Sequence, residues 1–206
     1  MATSTRLPST ERRAAILEAA IALFAERGFR GVTTRELAQR VGVSEPILYQ
    51  HFPSKKELYD AIIESAMDSG YYEALEGLRK VANSENDEEF FRHLAESMVR
   101  WHTTRPEMIR LKLFSALEGH GLIDEFNEKT SQPFIEVIVG YIERRMAEGV
   151  YTRLDARATA FAFVGMIAHH CTACLLFQSP VVTIDSKLFI DHAVMIFLNG
   201  IRERNA

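Results

Sequence analysis

The sequence predicts an all-α protein, with an N-terminal three-helix domain and a larger C-terminal helical domain. Apolar residues recur at three- and four-residue spacing along most of the 206 residues, which is the period of an amphipathic helix. Glycine, proline and helix-capping residues separate these segments. No stretch shows convincing strand alternation, and β-branched residues cluster only at 135–139 and 181–182. We place the first domain at 1–54 and the second at 55–206, linked by the helix that begins at Lys55.

Composition and charge indicate an ordinary globular protein with a basic N-terminal segment. Hydrophobic residues make up 47% of the chain and charged residues 25%, as is usual for soluble domains. The two cysteines exclude a disulfide scaffold. The N-terminus lacks the apolar core of a secretion signal, so we expect a cytoplasmic protein. Residues 1–60 hold nine basic and seven acidic residues, and the remainder holds 15 basic and 21 acidic. This asymmetry suits a module that faces phosphates.

The first predicted helix runs from Glu11 to Arg27, with Thr10 as its N-cap and Gly28 as its C-terminal stop. Its apolar residues share one face and would pack into the core of the N-terminal domain. They are Ile16, Leu17, Ala20, Ile21, Leu23 and Phe24.

Two short helices joined by a tight turn are predicted within 34–51. Thr33 and Glu36 have the spacing of a capping box, so a helix can begin there. Gly42 suits the left-handed residue that ends this helix, and Ser44 can cap the next one. Two helices joined by a short turn that contains glycine form a helix-turn-helix.

The outer face of this motif has the side chains that DNA recognition needs. The second helix of a helix-turn-helix enters the major groove, with its N-terminal residues nearest the base edges. Gln50 can pair with adenine and Glu45 with cytosine, whereas Pro46 and Ile47 offer apolar contact to a thymine methyl group. Hydroxyl, imidazole and cationic groups near the helix starts suit phosphate oxygens. The phosphate candidates are Thr33, Thr34, Arg35, Tyr49, His51 and Lys55.

The remaining chain predicts a series of longer helices. Ser54 can cap a helix from Lys55 to about Ser69, which links the two domains. Pro106 suits the first turn of a helix, and Pro133 predicts a break within another. The predicted helices after the link are 71–82, 89–103, 106–119, 122–148, 156–178 and 185–204.

Large side chains on these helices could enclose an apolar cavity for a small hydrophobic effector. His102 and His170 would supply polar contacts to such a molecule. An ordinary packed core explains the same residues equally well. The candidates are Trp101, His102, Met108, Phe114, Phe134, Met166 and His170.

The last two helices are the predicted dimer interface. Residues 158–184 include no charged side chain and are long enough to cross a bilayer. Their histidines, glutamine and proline favour a helix buried at an interface, so we expect no membrane partner. Small residues would allow a second copy to approach closely in a four-helix bundle. The candidates are Ala158, Ala162, Gly165, His169, Ala173, Ala193, Phe197 and Gly200.

A histidine and cysteine cluster leaves two alternatives open. His170, Cys171 and Cys174 could make the protein a regulator that responds to thiol chemistry or to a metal ion. A single Cys-x-x-Cys without a second ligand pair does not define a metal site, so we predict no metal and no cofactor. A helical enzyme that uses this cluster is a further alternative. It is disfavoured because no nucleophile, base and orienting group occur at usable spacing.

Residues 10–64 resemble the DNA-binding domain of the TetR family (TetR/AcrR type) of one-component bacterial regulators. By this resemblance, Tyr49, His51 and Lys55 correspond to phosphate contacts, and Glu45, Pro46, Ile47 and Gln50 occupy base-facing positions. Ile47 is a departure, because a small or hydroxylated residue is common there. The motifs that carry the resemblance are Ile16-Leu17, Leu23-Phe24, Gly28-Phe29, Thr33-Thr34, Leu37-Ala38, Val41-Gly42-Val43-Ser44, Leu48-Tyr49, His51-Phe52, Lys55 and Leu58.

The family resemblance implies an all-helical protein that dimerises through its last two long helices. Such proteins usually repress transcription and are released from DNA by a small molecule bound in the C-terminal domain. We therefore predict a homodimeric regulator rather than an enzyme. It would bind a palindromic double-stranded DNA operator and leave it when a small hydrophobic effector binds.

Overall fold

The structure is a computed structural model that describes residues 8–119, 122–174 and 184–202. These ranges are almost entirely helical, which confirms the all-α prediction, and their only extended pairing is an isolated bridge between Tyr151 and Arg202. The helices are α1 (Ser9–Arg27), α2 (Thr34–Val41), α3 (Glu45–His51), α4 (Lys55–Ala66), α5 (Ser69–Ala82), α6 (Asp87–Thr104), α7 (Pro106–Glu118), α8 (Leu122–Phe126), a π-helical turn (Asn127–Ser131), α9 (Gln132–Ala147), α10 (Ala156–Thr172) and α11 (Ser186–Ile201).

Backbone packing divides the chain into two compact units. Unit 1 consists of Met1–Asp68 and Glu107–Phe126, and unit 2 consists of Ser69–Pro106 and Asn127–Ala206. Unit 1 therefore contains the three N-terminal helices together with α4, most of α7, and α8. The predicted division after residue 54 does not coincide with a boundary between these units, and it stays a prediction.

Several helix ends follow local sequence rules. The capping box at α2 is confirmed, because the Glu36 N–H donates to Thr33 Oγ1 and the Thr33 N–H donates to the Glu36 carboxylate. Ser54 and Asp155 accept hydrogen bonds from the first turns of α4 and α10. Gly42 ends α2 in the left-handed conformation, with φ 74° and ψ 32°.

The predicted cap at Thr10 is wrong, and the predicted cap at Ser44 is confirmed in position but not in its side-chain hydrogen bond. Helix α1 begins before Thr10, because the Pro8 carbonyl already accepts a helical hydrogen bond from the Arg12 N–H. Ser44 occupies the cap position of α3, but its side chain makes no capping hydrogen bond to any described residue. Such a cap bonds the second or third N–H of the helix. Here Pro46 has no N–H, and the Ile47 N–H donates to the Ser44 carbonyl.

The break predicted near Pro133 takes the form of the π-helical turn that precedes α9. The predicted continuation of α10 from 175 to 178, its end at Pro180 and the end of the last helix near Arg204 lie outside the described residues. Every helix in the described ranges is too short or too polar to cross a bilayer.

Unit 1 is organised around apolar residues from α1, α2, α3 and α4. The rings of Phe24, Phe29 and Tyr59 pack together with centroids 5.6–6.3 Å apart. Leu37 of α2 and Leu48 of α3 are fully buried. Both short helices are therefore anchored from one side, and their other sides face outward.

Unit 2 is built on an aromatic cluster shared by α6, α9, α10 and α11. Phe90 stacks on Tyr141 with centroids 3.8 Å apart, and Phe91 packs against Phe163 and Phe197 at 4.8 Å. These rings are buried, so the face of each helix that carries them is not available to a partner.

A buried carboxylate lies beside this cluster. Asp87 Oδ1 accepts hydrogen bonds from the Tyr141 hydroxyl at 2.7 Å and from Arg145 Nε at 2.8 Å. The Tyr151 hydroxyl is also buried and close to Asp87, but it makes no hydrogen bond of normal geometry with any described residue. Burial, followed by the hydrogen bond to Asp87 and its negative charge, raises the pKa of Tyr141. Both tyrosines therefore stay protonated in the folded protein.

The two tyrosines provide a matched test of this network. We expect Tyr141→Phe to lower the free energy of unfolding by about 1–3 kcal/mol, because Asp87 loses a donor inside the core. Tyr151→Phe should be neutral or raise the free energy of unfolding by up to about 1 kcal/mol, because its hydroxyl is buried unpaired. Urea unfolding of both variants at pH 7 measures the difference. Equal losses in both variants would contradict this description.

Candidate nucleic-acid interface

The sharp turn between α2 and α3 sets the geometry of the interface. The Val43 N–H donates to the Ala38 carbonyl at 2.9 Å, and the Gly42 N–H donates to the Gln39 carbonyl at 3.2 Å. A Cβ added at Gly42 would meet no described atom within 4 Å. The need for glycine therefore comes from the left-handed backbone rather than from lack of space.

The candidate base-facing side chains lie around the exposed side of α3. Pro46 and Gln50 are exposed, and Glu45 and Ile47 are half-buried. Leu48 faces the core. The side of α3 opposite Leu48 is therefore open to a partner. The structure thus leaves Pro46 and Gln50 the most accessible of the four.

A hydrogen-bonded chain holds α3 against the start of α2. The Thr34 hydroxyl donates to Glu45 Oε2 at 3.1 Å, and the Tyr49 hydroxyl donates to Thr34 Oγ1 at 3.3 Å. One oxygen of Glu45 is thus engaged within the motif. We therefore assign Glu45 a role in fixing the angle of the two helices, in addition to any base contact.

The predicted phosphate contacts around α2 differ in how free their side chains are. The Thr33 hydroxyl donates to Glu36 Oε2 at 2.8 Å as part of the capping box. The Thr33 backbone N–H, followed by its hydroxyl, lowers the pKa of the Glu36 carboxyl. Arg35 is exposed and makes no hydrogen bond or ion pair with another described residue. Arg35 therefore has a charge available for a phosphate. Among the other candidates, Tyr49 is exposed and His51 is half-buried.

Lys55 differs from its predicted role. Its amine points inward and donates to the Phe29 carbonyl. It also lies 4.2 Å from the ring centroid of Phe29 and 5.4 Å from that of Phe24. Burial lowers the pKa of this amine. In this structure the charge of Lys55 is therefore used within unit 1 and is not available for the predicted phosphate contact.

The predicted effector residues are divided between the two units. Met108 and Phe114 belong to unit 1, and the others belong to unit 2. Met108 is fully buried, so it is a core residue of unit 1. In unit 2, Phe134 packs edge-on against Tyr71 with centroids 5.4 Å apart. His102 Nδ1 lies 2.6 Å from the Met98 carbonyl.

Two features of unit 2 remain candidates for a ligand contact. Nε1 of half-buried Trp101 is enclosed without a hydrogen-bond partner among the described residues. Separately, a groove of about 210 Å³ opens between α6 and α11. The sequence did not predict this groove, because helical periodicity does not reveal which polar helix faces pack side by side. Its lining consists of Arg92, Glu96, Val99, Arg100, Lys187 and Ile190.

The predicted dimer residues fall into exposed and buried groups. Ala158, Ala162, Gly165, His169 and Gly200 are exposed. The prediction is corrected for the others, because these residues face the core rather than a partner. The buried residues are Ala173, Ala193 and Phe197.

Sequence reasoning also missed the largest apolar groups on the exposed faces of α10 and α11. Phe161 is 50% exposed, Leu188 and Met195 are each 52% exposed, and Ile196 is 61% exposed. Their apolar character could have indicated an interface. The rotation of each helix was needed to separate them from core residues such as Phe197.

The cysteine cluster has a definite geometry. Cys174 Sγ lies 3.7 Å from His170 Nδ1, and His170 Nε2 lies 3.1 Å from Ser186 Oγ. The His170 ring stacks on Phe189 with centroids 4.2 Å apart. Burial raises the pKa of the Cys171 thiol to about 12. In the described ranges, no group of three or more histidine, cysteine, aspartate or glutamate residues could hold a metal ion.

Comparison with known proteins agrees with the helix-turn-helix geometry. Residues 16–62 match the family described as bacterial regulatory proteins, tetR family. The nucleoid occlusion factor SlmA of Vibrio campbellii is 30% identical over 167 residues, which cover 77% of this chain and 81% of that protein. The HTH-type transcriptional activator FasR of Mycolicibacterium smegmatis is 48% identical over 73 residues. That match spans 34% of this chain and only 33% of FasR.

Solved structures share the fold along most of the chain. AibR in complex with isovaleryl coenzyme A and operator DNA has a TM-score of 0.69 at 22% identity, and the match covers 90% of this chain and 97% of AibR. The ketosteroid transcriptional regulator KstR2 of Mycobacterium tuberculosis has a TM-score of 0.67 at 21% identity, covering 94% of this chain and 96% of KstR2. At these identities the likeness concerns the fold alone.

The class defined by the fold and the site is a helix-turn-helix transcription regulator, not an enzyme. The chain belongs to the TetR family of bacterial DNA-binding regulators.

The inward position of Lys55 can be tested by salt dependence. Each phosphate contact contributes about 0.9 to the slope of log affinity against log salt concentration on duplex DNA. We expect Lys55→Met to leave this slope as in the wild type, whereas Arg35→Ala should lower its magnitude by about 1 for each protomer bound to the duplex. Fluorescence anisotropy with a labelled duplex at several salt concentrations provides the measurement. A reduced slope in Lys55→Met would show that the amine contacts DNA.

Proposed function

We propose that the protein is a homodimeric repressor that binds a palindromic operator and leaves it when a small, largely apolar molecule binds the C-terminal domain. The observation that carries the proposal is the outward face of the helix-turn-helix. Exposed Pro46, Tyr49 and Gln50 lie on α3, and exposed Arg35 lies on α2. We propose that the protein works in the cytoplasm, because the duplex DNA that it would bind is there.

The chemistry of this face supports both parts of DNA recognition. The Gln50 amide can donate to and accept from the major-groove edge of adenine, and the Pro46 ring can contact a thymine methyl group. Arg35 and Tyr49 can bond phosphate oxygens, which position the motif without reading sequence. The hydrogen bonds among Thr34, Glu45 and Tyr49 preset the angle between the two helices.

The exposed surface of α10 and α11 supports a homodimer. Four large apolar side chains on these two helices are each at least half exposed, as is expected where a partner covers them. Ala158, Ala162 and Gly165 on α10 would let a second copy approach closely. Two-fold symmetry would then repeat the DNA-binding surface, with half-sites about 34–36 Å apart or a multiple of that spacing. The large apolar side chains are Phe161, Leu188, Met195 and Ile196.

The effector is proposed to act on the C-terminal domain. Trp101 offers an enclosed indole N–H that could bond a polar atom of an otherwise apolar molecule. AibR, which shares the fold, was solved with isovaleryl coenzyme A and operator DNA. An effector can release DNA only if it binds the DNA-free conformation more tightly. FasR is described as an activator, so the direction of regulation needs its own measurement.

Selection of binding sites from random duplexes tests the central proposal. The full-length protein should enrich a two-fold symmetric sequence, and a reporter controlled by this sequence should be repressed when the protein is expressed. Failure to enrich any sequence at moderate salt would overturn the proposed function. Increased reporter expression would replace repression by activation.

Gln50 should carry part of the sequence specificity. We expect Gln50→Ala to weaken operator binding by about 1–3 kcal/mol and to relax selection at one base pair of each half-site. Gln39→Ala is the matched control, because Gln39 is exposed on α2 outside the recognition helix. Repeating the selection with both variants gives the base preferences. Unchanged preferences in Gln50→Ala would remove this residue from the base-facing set.

A thiol-responsive signal is the second candidate, and the pairing of Cys174 with His170 favours it. The His170 imidazole can accept the thiol proton, and its hydrogen bond to Ser186 and its stacking on Phe189 fix the ring. This arrangement provides a nucleophile, a base and an orienting group. Cys171 offers an internal comparison, because its buried thiol has a pKa of about 12.

N-ethylmaleimide provides the test of the thiol-responsive signal. The Cys174 sulfur should add to the maleimide double bond, while its proton passes by way of His170 to the adjacent carbon. We expect Cys174 to react at least about 10-fold faster than Cys171 near pH 7.5, because few buried thiols ionise there. Operator affinity should then fall in the wild type and in Cys171→Ser but not in Cys174→Ser. Full modification of Cys174 without any change in operator affinity would exclude this candidate.

A further inference from the structure

The carboxyl end of α7 contacts the turn between α1 and α2 within unit 1. Glu118, the last residue of α7, accepts the Phe29 N–H at 3.1 Å and the Arg30 N–H at 3.0 Å. The acceptor lies 88–89 positions away from the donors in sequence. A carboxylate that accepts two backbone N–H groups makes charge-assisted hydrogen bonds, which are stronger than neutral ones.

Gly28 makes this close approach possible. A Cβ at this position would overlap Glu118 Oε1 and would lie 3.0 Å from Phe114 Cδ1. The backbone of Gly28 has φ 76° and ψ 174°, a region that residues with side chains essentially do not occupy. The turn therefore depends on glycine both for its conformation and for its contact with α7.

The same turn is held from its other side by α4. The peptide group between Phe29 and Arg30 donates its N–H to Glu118 and accepts from the Lys55 amine through its carbonyl. An anion and a cation thus bond the two ends of one peptide dipole. Hydrogen bonds in such a chain polarise and strengthen one another.

Two further contacts tie α7 and α8 to α4. The hydroxyls of Tyr59 and Ser115 share a hydrogen bond, and both residues are fully buried. The Lys56 amine lies 3.2 Å from a carboxylate oxygen of Glu125. Helix α7 is therefore an integral part of the unit that contains the helix-turn-helix.

Resting on the proposed function, we infer that Glu118 is a positioning residue that latches the α1–α2 turn onto α7 and so sets the orientation of the DNA-reading face. Helix α2 begins at Thr34, four residues after Arg30, and buried Val32 lies between them. A displacement of α7 would therefore be carried into α2, whose Thr34 bonds Glu45 of the recognition helix α3.

Graded substitutions separate this role from a general loss of stability. Glu118→Gln keeps one accepting oxygen but turns an NH2 group toward the second N–H, whereas Glu118→Ala removes both acceptors. Glu107→Gln is the matched control, because Glu107 lies on the same helix and makes no hydrogen bond to the rest of the described chain. Amide hydrogen exchange and DNA affinity are then measured on the full-length variants.

We expect amide protection at both Phe29 and Arg30 to be lost in Glu118→Ala and to be reduced in Glu118→Gln. Affinity for the selected operator should fall about 10-fold in Glu118→Ala, which corresponds to about 1.4 kcal/mol. It should fall about 3-fold in Glu118→Gln and less than 2-fold in Glu107→Gln. Affinity for an unrelated duplex should stay within about 2-fold of the wild type in all three, since phosphate contacts dominate that binding.

Several outcomes would overturn the latch. One is unchanged protection of Phe29 and Arg30 in Glu118→Ala. Another is unchanged operator affinity in Glu118→Ala, which would leave the proposed function intact. Faster exchange throughout α2 and α3, with equal loss of operator and unrelated DNA binding, would indicate destabilisation instead. If the wild type selects no operator, the proposed function fails, and the exchange data still decide whether the latch exists. Glu118→Gln, which preserves shape, is decisive if Glu118→Ala does not fold.

Discussion

Burial of Leu37 and Leu48 determines which side of the helix-turn-helix can meet DNA. Each short helix has only about two turns, so neither would hold its shape or its rotation alone. Packing of these leucines into unit 1 directs Arg35, Tyr49 and Gln50 outward. The left-handed turn at Gly42 and the hydrogen bonds through Thr34 then fix the angle between the helices. The proposed recognition of an operator depends on this rigidity.

Several polar groups of the DNA-binding domain stabilise the domain itself rather than face DNA. Thr33 caps α2, Glu45 accepts from Thr34, and Lys55 bonds the Phe29 carbonyl. Their charges and hydroxyls therefore support the geometry in which other residues can reach bases and phosphates. The inferred latch extends this principle, because Glu118 brings α7 into the same network. A single peptide group then links α4, α7 and the turn that precedes the reading face.

Features set by neighbours in sequence could be predicted, and features set by distant packing could not. The Thr33–Glu36 capping box and the left-handed Gly42 are local, and both are confirmed. Ser44 holds the predicted cap position without a side-chain hydrogen bond, and the reason is also local, because Pro46 has no N–H and the Ile47 N–H bonds the Ser44 carbonyl. By contrast, the inward amine of Lys55 and the contact of Glu118 with Phe29 arise from residues 26 and 89 positions apart.

The rotation of each long helix about its own axis could not be predicted from the sequence. Periodicity identified α10 and α11, but it could not distinguish buried Phe197 from exposed Phe161. We propose that two copies of the exposed α3 face read one symmetric operator. Hydroxyl-radical footprinting on the selected duplex tests it most directly. We expect two symmetric protected half-sites with centres about one helical turn apart, or a multiple of it, both lost in Gln50→Ala at limiting protein. A single unsymmetric footprint, or uniform protection along the duplex, would contradict the proposed recognition of a symmetric operator by two copies.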